Sequence, residues 1–347
     1  MSIVFDGPVG PTAATVFVRT VPTPSEHQLA SFLPDKSVTS TTIKLAEGTR
    51  VNRSAQFRAF DGNIPQLERD SFSTREVDLL PMSIQGGKGE LERLQLEKVR
   101  QGGGSTAAIT EAIYDDLTLA VNAIRNRVET ARGELLSTGK IVLQDENGLF
   151  LKADFEVPAD NFKDVVTPWS SVNDAEVVQD LTAWVEYYTS LNGFAPGGMI
   201  INRRILGFLQ RNAEFRSLLA SLQGAPSIVG RSSVDQVLSD YGLPPIAGIY
   251  DTVLPDPENI QKRVIPENKV IFVPPNAGTL GNVSWGVTAT AMELLSAAQT
   301  DLSFADAPGL VGVVIKSGPP YKESTLVDSL LLPNLENPKQ LMVAEVF

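Results

Sequence analysis

The sequence predicts an α+β fold in which one long helix supports much of the packing. Apolar residues recur in steps of three and four from Ile109 to Leu135, which indicates a helix with one buried stripe. Downstream of residue 173, helical patterns are mixed with short strand patterns, and this mixture is typical of α+β domains. A third observation is a strongly charged segment between Lys44 and Arg100, which cannot supply a core of its own.

Composition excludes several classes of protein. The chain has 347 residues, which favours two domains or one domain with long excursions. Its formal net charge of -12 argues against a protein that grips phosphate backbones through clustered basic residues. Cysteine is absent, which excludes disulfide scaffolds, cysteine-ligated zinc, iron–sulfur clusters and thiol nucleophiles, and favours a reducing cytosol.

Few residues are available for catalysis. His27 is the only histidine, so a Ser–His–Asp triad or a histidine metal site would depend on it, and we expect a solvated loop residue instead. Asp251 and Asp256 flank a proline-containing turn and leave open a hydrolase that uses paired carboxylates. We expect a protein that is not an enzyme, with no catalytic, cofactor-binding or metal-binding residues.

No membrane or export segment is expected. The first ten residues lack a basic region followed by an apolar stretch, so no signal peptide is predicted. The longest uncharged run, Val270–Met292, contains prolines and glycines and indicates strand, loop and strand rather than a bilayer span.

Residues 1–37 are predicted to form an extended N-terminal arm. Proline fixes φ and lacks an N–H donor, so a proline-rich segment is a poor helix. An arm that cannot bury its own surface is expected to lie on something else, here a neighbouring subunit. The prolines of this segment are Pro8, Pro11, Pro22, Pro24 and Pro34.

Residues 38–85 are predicted to form a charged, two-stranded ribbon. Strand patterns cover Val38–Leu45, Gln56–Phe60 and Glu76–Ile84. Ten basic and nine acidic residues lie between Lys44 and Arg100, so this segment has a charge of +1 while the rest of the chain carries -13. An isolated hairpin is marginal in water, so we expect the ribbon to pair with complementary charges on another subunit. The predicted inter-subunit contacts are Lys44, Glu47, Arg50, Arg53, Arg58, Arg69 and Arg75.

Two glycine clusters bracket the segment that precedes the long helix. Gly86, Gly87 and Gly89 lie in a GGKGE sequence that lacks the spacing of a phosphate-binding loop, so a flexible joint is the better interpretation. The second cluster, Gly102, Gly103 and Gly104, is predicted to be a hinge between the ribbon and the helix.

The long helix is predicted over about residues 105–138, with Gly139 as its end. An Asn-Gly turn then joins two strands, Lys140–Gln144 and Leu149–Phe155. Downstream helices are predicted from Val177 to Leu191 with Gly193 as the end, after the capping residue Asn202, and over Glu214–Gln223 and Ser233–Tyr241. Predicted strands are Gly198–Ile201, Ile246–Leu254, Lys269–Val273, Val283–Ala289, Leu310–Lys316, Ser324–Leu332 and Leu341–Phe347. The last three are expected to pair with the 140–155 hairpin.

The order of these elements resembles the major capsid proteins of tailed bacteriophages, the Hong Kong ninety-seven fold. The resemblance is closer to the lambda-like major capsid protein E family. It is carried by ARGELLSTGKIVL (131–143), by KVIFVPP and LGNVSWGVTATAMELL within 269–295, and by PGLVGVVIKSGPPYKESTLVDSLLLPNLENPKQLMVAEV (308–346).

This resemblance implies a division of the chain and a structural function. It implies an N-arm (1–37), an extended loop (38–85), a peripheral domain with the spine helix (86–173), an axial domain (174–309) and peripheral return strands (310–347). Copies would assemble as hexamers and pentamers of an icosahedral shell around double-stranded DNA, in the host cytoplasm. The first of two alternatives is a cellular compartment shell of encapsulin type; the other is the carboxylate hydrolase.

The resemblance also implies partners. No extra N-terminal region of the built-in scaffold kind is apparent, so a separate scaffolding protein is expected. A portal and a decoration or cement protein are further expected partners, because nothing supports a Lys–Asn covalent crosslink. The acidic interior would hold packaged DNA without sequence-specific binding.

Overall fold

The computed structural model describes residues 9–47, 57, 60, 73–88, 91, 94, 98, 107–146, 149–219, 226–256, 258–298, 301–317 and 322–347. The helices are α1 (Pro11–Thr20), α2 (Ala107–Thr138), α3 (Val177–Asn192), α4 (Arg203–Arg211), α5 (Ala213–Leu218), α6 (Arg231–Asp240) and α7 (Ala289–Ser296). The strands of the first half are β1 (Asp35–Ser37), β2 (Thr42–Glu47), β3 (Ser73–Asp78), β4 (Leu80–Lys88), β5 (Lys140–Glu146), β6 (Leu149–Asp154) and β7 (Phe162–Asp164). Those of the second half are β8 (Gly198–Ile201), β9 (Ile246–Ile249), β10 (Val253–Pro255), β11 (Gln261–Arg263), β12 (Lys269–Val273), β13 (Gly281–Trp285), β14 (Val311–Ser317), β15 (Lys322–Leu335) and β16 (Met342–Glu345).

The spine helix α2 confirms the prediction from apolar periodicity. It spans 32 residues, and Ile113, Leu117, Val121 and Leu135 on its predicted stripe are fully buried. The helix ends at Gly139, whose φ of +68° is a left-handed conformation that glycine adopts without strain. The hairpin β5–β6 follows directly, as predicted, with Lys140 paired to Asp154.

The expectation of an extended N-terminal arm is wrong for residues 11–20, which form α1. Pro11 occupies the first turn, where its missing N–H costs nothing, and no further proline follows before Pro22. Ala14 and Val18 are fully buried against the chain's own β14 and spine helix. This segment is therefore part of the subunit core.

One sheet lies against the spine helix and α1. Its order is β1-β13-β15-β14, and β4 also pairs with β15. Gly86 and Gly87 lie inside β4, opposite Thr325 and Ser324, so the interpretation of these two glycines as a flexible joint is wrong. The predicted strand 76–84 is accordingly divided between β3 and β4.

A second sheet, ordered β7-β16-β12-β8-β9, is buried on both faces. Along β12, Val270 and Phe272 pack into a core built with α3, α4, α5 and α6, which we call the helical core. Ile271 and Val273 face the opposite way, into a core shared with the end of the spine helix and the β5–β6 hairpin, the inner core. The sheet thus separates two cores and belongs to both.

Several strand predictions need correction. The tail strands do not pair with the 140–155 hairpin, because β14 and β15 belong to the first sheet and β16 to the second. The predicted strand 246–254 is two strands, β9 and β10, and the strand predicted over 283–289 ends at Trp285, before α7 begins at Ala289. The helix predicted over 214–223 spans Ala213–Leu218.

Other downstream predictions are confirmed. Strands β8 and β12 have the predicted bounds, and α3 ends at Gly193, whose φ is +80°. Asn202 caps α4 by accepting a hydrogen bond from the backbone N–H of Ile205 at 2.9 Å.

Candidate assembly surfaces

The two strands of the charged ribbon pair with each other in an antiparallel register that runs from Thr42 opposite Asp78 to Glu47 opposite Ser73. Among the described strands, neither pairs with a third. The backbone register places Lys44 directly opposite Glu76. Each strand is therefore paired with the other, and no described strand pairs with the outer edge of either.

The base of the ribbon is fixed in the inner core. Val77 and Leu79 are buried there, whereas Glu76 and Asp78 between them are exposed. The backbone N–H of Leu79 donates to the carbonyl of Thr41 at 2.9 Å, which holds the two strands together at their base. The subunit thus anchors the ribbon at one end.

Most of the predicted contact residues lie beyond this base. Lys44, Glu47 and Arg75 belong to the paired strands. Arg50, Arg53, Arg58 and Arg69 lie outside the described residues, as do the predicted hinge glycines Gly102, Gly103 and Gly104. The inter-subunit and hinge roles of all these residues stay predictions.

A buried carboxylate holds the segment that follows α1, which we call the N-terminal segment (residues 21–37), on the spine helix. Glu129 is fully buried, and its Oε1 accepts hydrogen bonds from the backbone N–H of Leu29 at 2.9 Å and from the hydroxyl of Tyr250 at 3.0 Å. Its Oε2 accepts from Arg132 at 3.3 Å. Burial raises the pKa of Tyr250, with the nearby Glu129 charge adding to the effect, so the tyrosine stays a donor.

The clamp continues from Arg132 to the first strand. The Arg132 guanidinium donates to Oδ1 of Asp35 in β1, and the indole N–H of Trp285 donates to the same oxygen at 2.9 Å. These contacts join the N-terminal segment, the spine helix and the first sheet. Sequence reasoning missed this clamp, because Glu129 and Arg132 resemble ordinary helix surface residues in a pattern of charges.

A second arginine fastens α1. Arg19 is half-buried and donates to four backbone carbonyls between residues 306 and 310, at 2.6 to 3.3 Å. Burial lowers its pKa, and the charge of Asp306 partly opposes that shift. The adjacent Thr15 donates to the carbonyl of Gly312 at 3.1 Å. The segment predicted to lie on a neighbour is thus bound to its own subunit.

The residues considered for catalysis are used in structural contacts. Asp251 lies 3.2 Å from Arg263 and 3.5 Å from Arg203. Asp256 accepts from the backbone N–H groups of residues 258 and 260 and pairs with Lys262 at 2.6 Å, and these bonds lower its pKa. A carboxylate held ionised in a turn is poorly suited to donate a proton.

His27 corrects another expectation, because it is buried with 7% of its surface exposed rather than solvated. Among the described residues there is no group of three or more histidine or acidic side chains that could hold a metal ion. None of the described helices is long and apolar enough to cross a membrane.

A comparison with protein families identifies the kind of protein that carries these surfaces. The model of the phage major capsid protein E family matches residues 12–294, most of the chain. The chain belongs to this family. It is a structural protein of the phage head, and its copies form the capsid shell of the virion. No significant match is found among curated protein sequences.

Solved structures share the fold of this capsid protein. A prophage capsid protein from E. coli CFT073 is 15% identical, with 80% of each chain covered and a TM-score of 0.56. A phage-related protein from Bordetella bronchiseptica RB50 is 12% identical, with 98% of each chain covered and a TM-score of 0.51. An encapsulin from Synechococcus elongatus PCC 7942 has a TM-score of 0.49 at 12% identity, over 94% of this chain and 90% of its own. The family match favours the phage head over the cellular compartment.

Proposed function

We propose that the ribbon is the element through which each capsid subunit grips its neighbour, and that the contact is made by charged pairs. The paired strands β2 and β3, anchored at one end by Val77 and Leu79, support this proposal. Lys44 of β2 is in register with Glu76 of β3, and no third described strand pairs with either strand. An isolated two-stranded ribbon is marginally stable in water, so it gains stability by lying on another surface.

Charge complementarity favours a neighbouring copy of the chain as that surface. The segment from Lys44 to Arg100 has a charge of +1, whereas the remaining chain carries -13. A neighbouring copy therefore offers an excess of carboxylates to Arg50, Arg53, Arg58, Arg69 and Arg75. Each exposed pair contributes only about 0–1 kcal/mol, but the contact is repeated at every subunit of a shell.

The remaining proposals concern the assembly as a whole. Hexamers and pentamers of this chain would form the shell in the host cytoplasm, with a scaffolding protein, a portal and a decoration or cement protein as partners. Packaged DNA would be enclosed without sequence-specific contacts, since an acidic shell repels phosphates. The role of the chain is structural rather than catalytic, and Gly102–Gly104 serve as the hinge of the ribbon when the shell expands.

The test is reversal of the three arginines Arg50, Arg53 and Arg58 to Glu in one variant, coexpressed with the scaffolding protein. Repulsion at every contact should abolish shells, while the subunit melts normally because its cores are untouched. The corresponding Arg→Ala variants should assemble less than wild type but more than the Glu variant. Their assembly should weaken further as salt rises, because salt screens charged pairs. Sedimentation and electron microscopy measure assembly, and circular dichroism measures melting.

The matched control reverses three exposed arginines of the helical region, Arg203, Arg211 and Arg231, which changes the net charge equally. If both triple variants fail to assemble, net charge rather than the ribbon is responsible. Wild-type shells from the ribbon variant, or a large fall in its melting temperature, would contradict the proposal.

A further inference from the structure

A cleft of about 380 Å³ lies where the N-terminal segment meets the spine helix and the loop at residues 308–310. Its volume is sufficient for a small polyatomic ion or the end of an acidic side chain. Its charged and aromatic lining comprises Arg19, His27, Asp35, Arg125, Arg132 and Trp285.

Arg125 is the anomaly in this cleft. Its side chain is half-buried, yet it donates no hydrogen bond to any described residue, and its Nη1 is fully enclosed. Burial lowers its pKa, and the charge of Asp35 opposes the shift only in part. A guanidinium withdrawn from water without a hydrogen-bonded anion is unfavourable, so a partner is missing.

Two other residues that line the cleft each have an enclosed nitrogen atom with no hydrogen-bond partner among the described residues. These atoms are Nε of Arg132 and Nε2 of His27, and both residues are more than nine-tenths buried. Native structures rarely leave buried polar atoms without a hydrogen bond. Three such donors in residues around one cleft indicate that hydrogen-bond acceptors are missing there.

The neighbouring acceptors are already engaged. Oδ1 of Asp35 accepts from both Arg132 and Trp285, and the carboxylate of Glu129 accepts three hydrogen bonds within the clamp. Arg19 also lines the cleft, but it donates to backbone carbonyls, and the charge of Asp306 acts on it. The buried atoms without a hydrogen-bond partner around the cleft are therefore all donors.

We infer that this cleft is an oxyanion site, which takes a carboxylate or phosphate group with Arg125 as its principal donor. Guanidinium groups bind both through paired, charge-assisted hydrogen bonds. The group has two sources, a small free anion or an acidic side chain of an adjacent copy, of which the shell supplies many. An occupant there would join the N-terminal segment to the spine helix and stabilise both.

The test compares Arg125→Gln with Arg231→Gln, a matched change at an exposed arginine of α6. Unassembled subunits are melted with inorganic phosphate and with chloride at equal ionic strength, and phosphate binding is measured by calorimetry. If the source is a free anion, phosphate raises the melting temperature of wild type and of Arg231→Gln, and Arg125→Gln binds phosphate about tenfold or more weakly.

If the source is an adjacent copy, phosphate stabilises none of the subunits, but Arg125→Gln alone assembles poorly with scaffold. Without phosphate, its subunit should melt no lower than wild type, because the variant loses an unpaired buried charge. The inference is overturned if Arg125→Gln matches Arg231→Gln in both phosphate response and assembly. The ribbon proposal is tested separately, since neither variant alters residues 38–85.

Discussion

At the scale of single residues, the clamp around Glu129 makes the sharpest prediction about stability. Replacing Glu129 with Ala removes three accepted hydrogen bonds and leaves the buried Arg132 with Asp35 alone. Breaking a buried, hydrogen-bonded charge pair in this way typically costs about 3–5 kcal/mol. We expect that loss in the free energy of unfolding, measured by denaturant titration.

Two other variants define the cause of that loss. Glu129→Gln keeps an oxygen acceptor for Leu29 and Tyr250 but removes the charge, so it should be intermediate. Glu293→Gln removes an exposed carboxylate from α7 and should have almost no effect. A Glu129→Ala protein as stable as wild type would show that the clamp contributes nothing.

Asp180 makes a prediction about pH. Burial raises the pKa of Asp180, the charge of Glu176 acts in the same direction, and the indole of Trp169 opposes both by donating at 2.9 Å. A raised folded pKa means that stability is greatest while the acid is protonated and falls as pH rises through that pKa. Asp180→Asn should therefore melt higher than wild type at neutral pH, with the difference closing as pH falls toward 4.

If the difference in melting temperature between Asp180→Asn and wild type stayed constant across that pH range, the raised pKa of Asp180 would be contradicted. Asp235→Asn, at an exposed carboxylate of α6, is the control, because it should show no such approach to wild type at low pH. Glu214, whose pKa is also raised by burial and which lies near Glu176 and Asp180, should respond in the same direction.

The residue scale also shows where sequence reasoning stops. Asn202 was predictable as a cap because its hydrogen bond is local to α4. His27 and Glu129 were not, since their burial is created by packing between segments about a hundred residues apart. Local sequence carries no signal for a contact of that kind, so a lone histidine in a proline-rich stretch looks solvated.

At the scale of elements, the predicted hinge before the spine helix is open to test. Replacing Gly102, Gly103 and Gly104 with Ala favours helix by about 1 kcal/mol at each position and should extend the helix toward the ribbon. We expect precursor shells to form but not to change diameter when DNA is packaged, as followed by electron microscopy. Gly230→Ala, at an uncrowded position before α6, is the control.

Expansion of the triple variant to the wild-type diameter would leave Gly102–Gly104 as a simple linker. Failure to form precursor shells would also contradict a hinge that acts only in expansion. Melting of the unassembled subunit distinguishes that outcome from a folding defect.

Elements were predictable where a single period dominates the sequence. The spine helix repeats one apolar stripe over many turns, and its observed bounds are Ala107–Thr138. Helix α1 was not predicted because the five prolines of residues 1–37 suggest an extended chain, although Pro11 at the first turn favours a helix. The apolar spacing of Ala14 and Val18 was the available signal.

At the scale of the whole molecule, the order of the strands within each sheet differs from their order in the sequence. β13 pairs with β15 and β16 pairs with β12, so strands from 269–285 and from the tail share both sheets. The segments 174–309 and 310–347 are therefore interleaved. Sequence patterns identify strands but not their distant partners, because pairing depends on contacts between residues far apart in the chain.

The sheet buried on both faces predicts how the molecule unfolds. Ile271 and Phe272 are neighbours in β12, yet Ile271 packs into the inner core and Phe272 into the helical core. Cavities from Ile271→Ala and Phe272→Ala should cost about 2–5 and 3–5 kcal/mol respectively. Because both cores rest on one sheet, the protein should unfold in a single thermal transition, and each variant should lower its midpoint temperature. Tryptophan fluorescence and calorimetry both follow this transition.

Val253→Ala, at a partly exposed residue of β10, should shift that transition much less and serves as the control for substitution in a strand. Two separate transitions, each sensitive to only one of the two core variants, would show that the cores unfold independently. A single transition would show that Val77 and Leu79, which anchor the ribbon in the inner core, unfold together with the helical core.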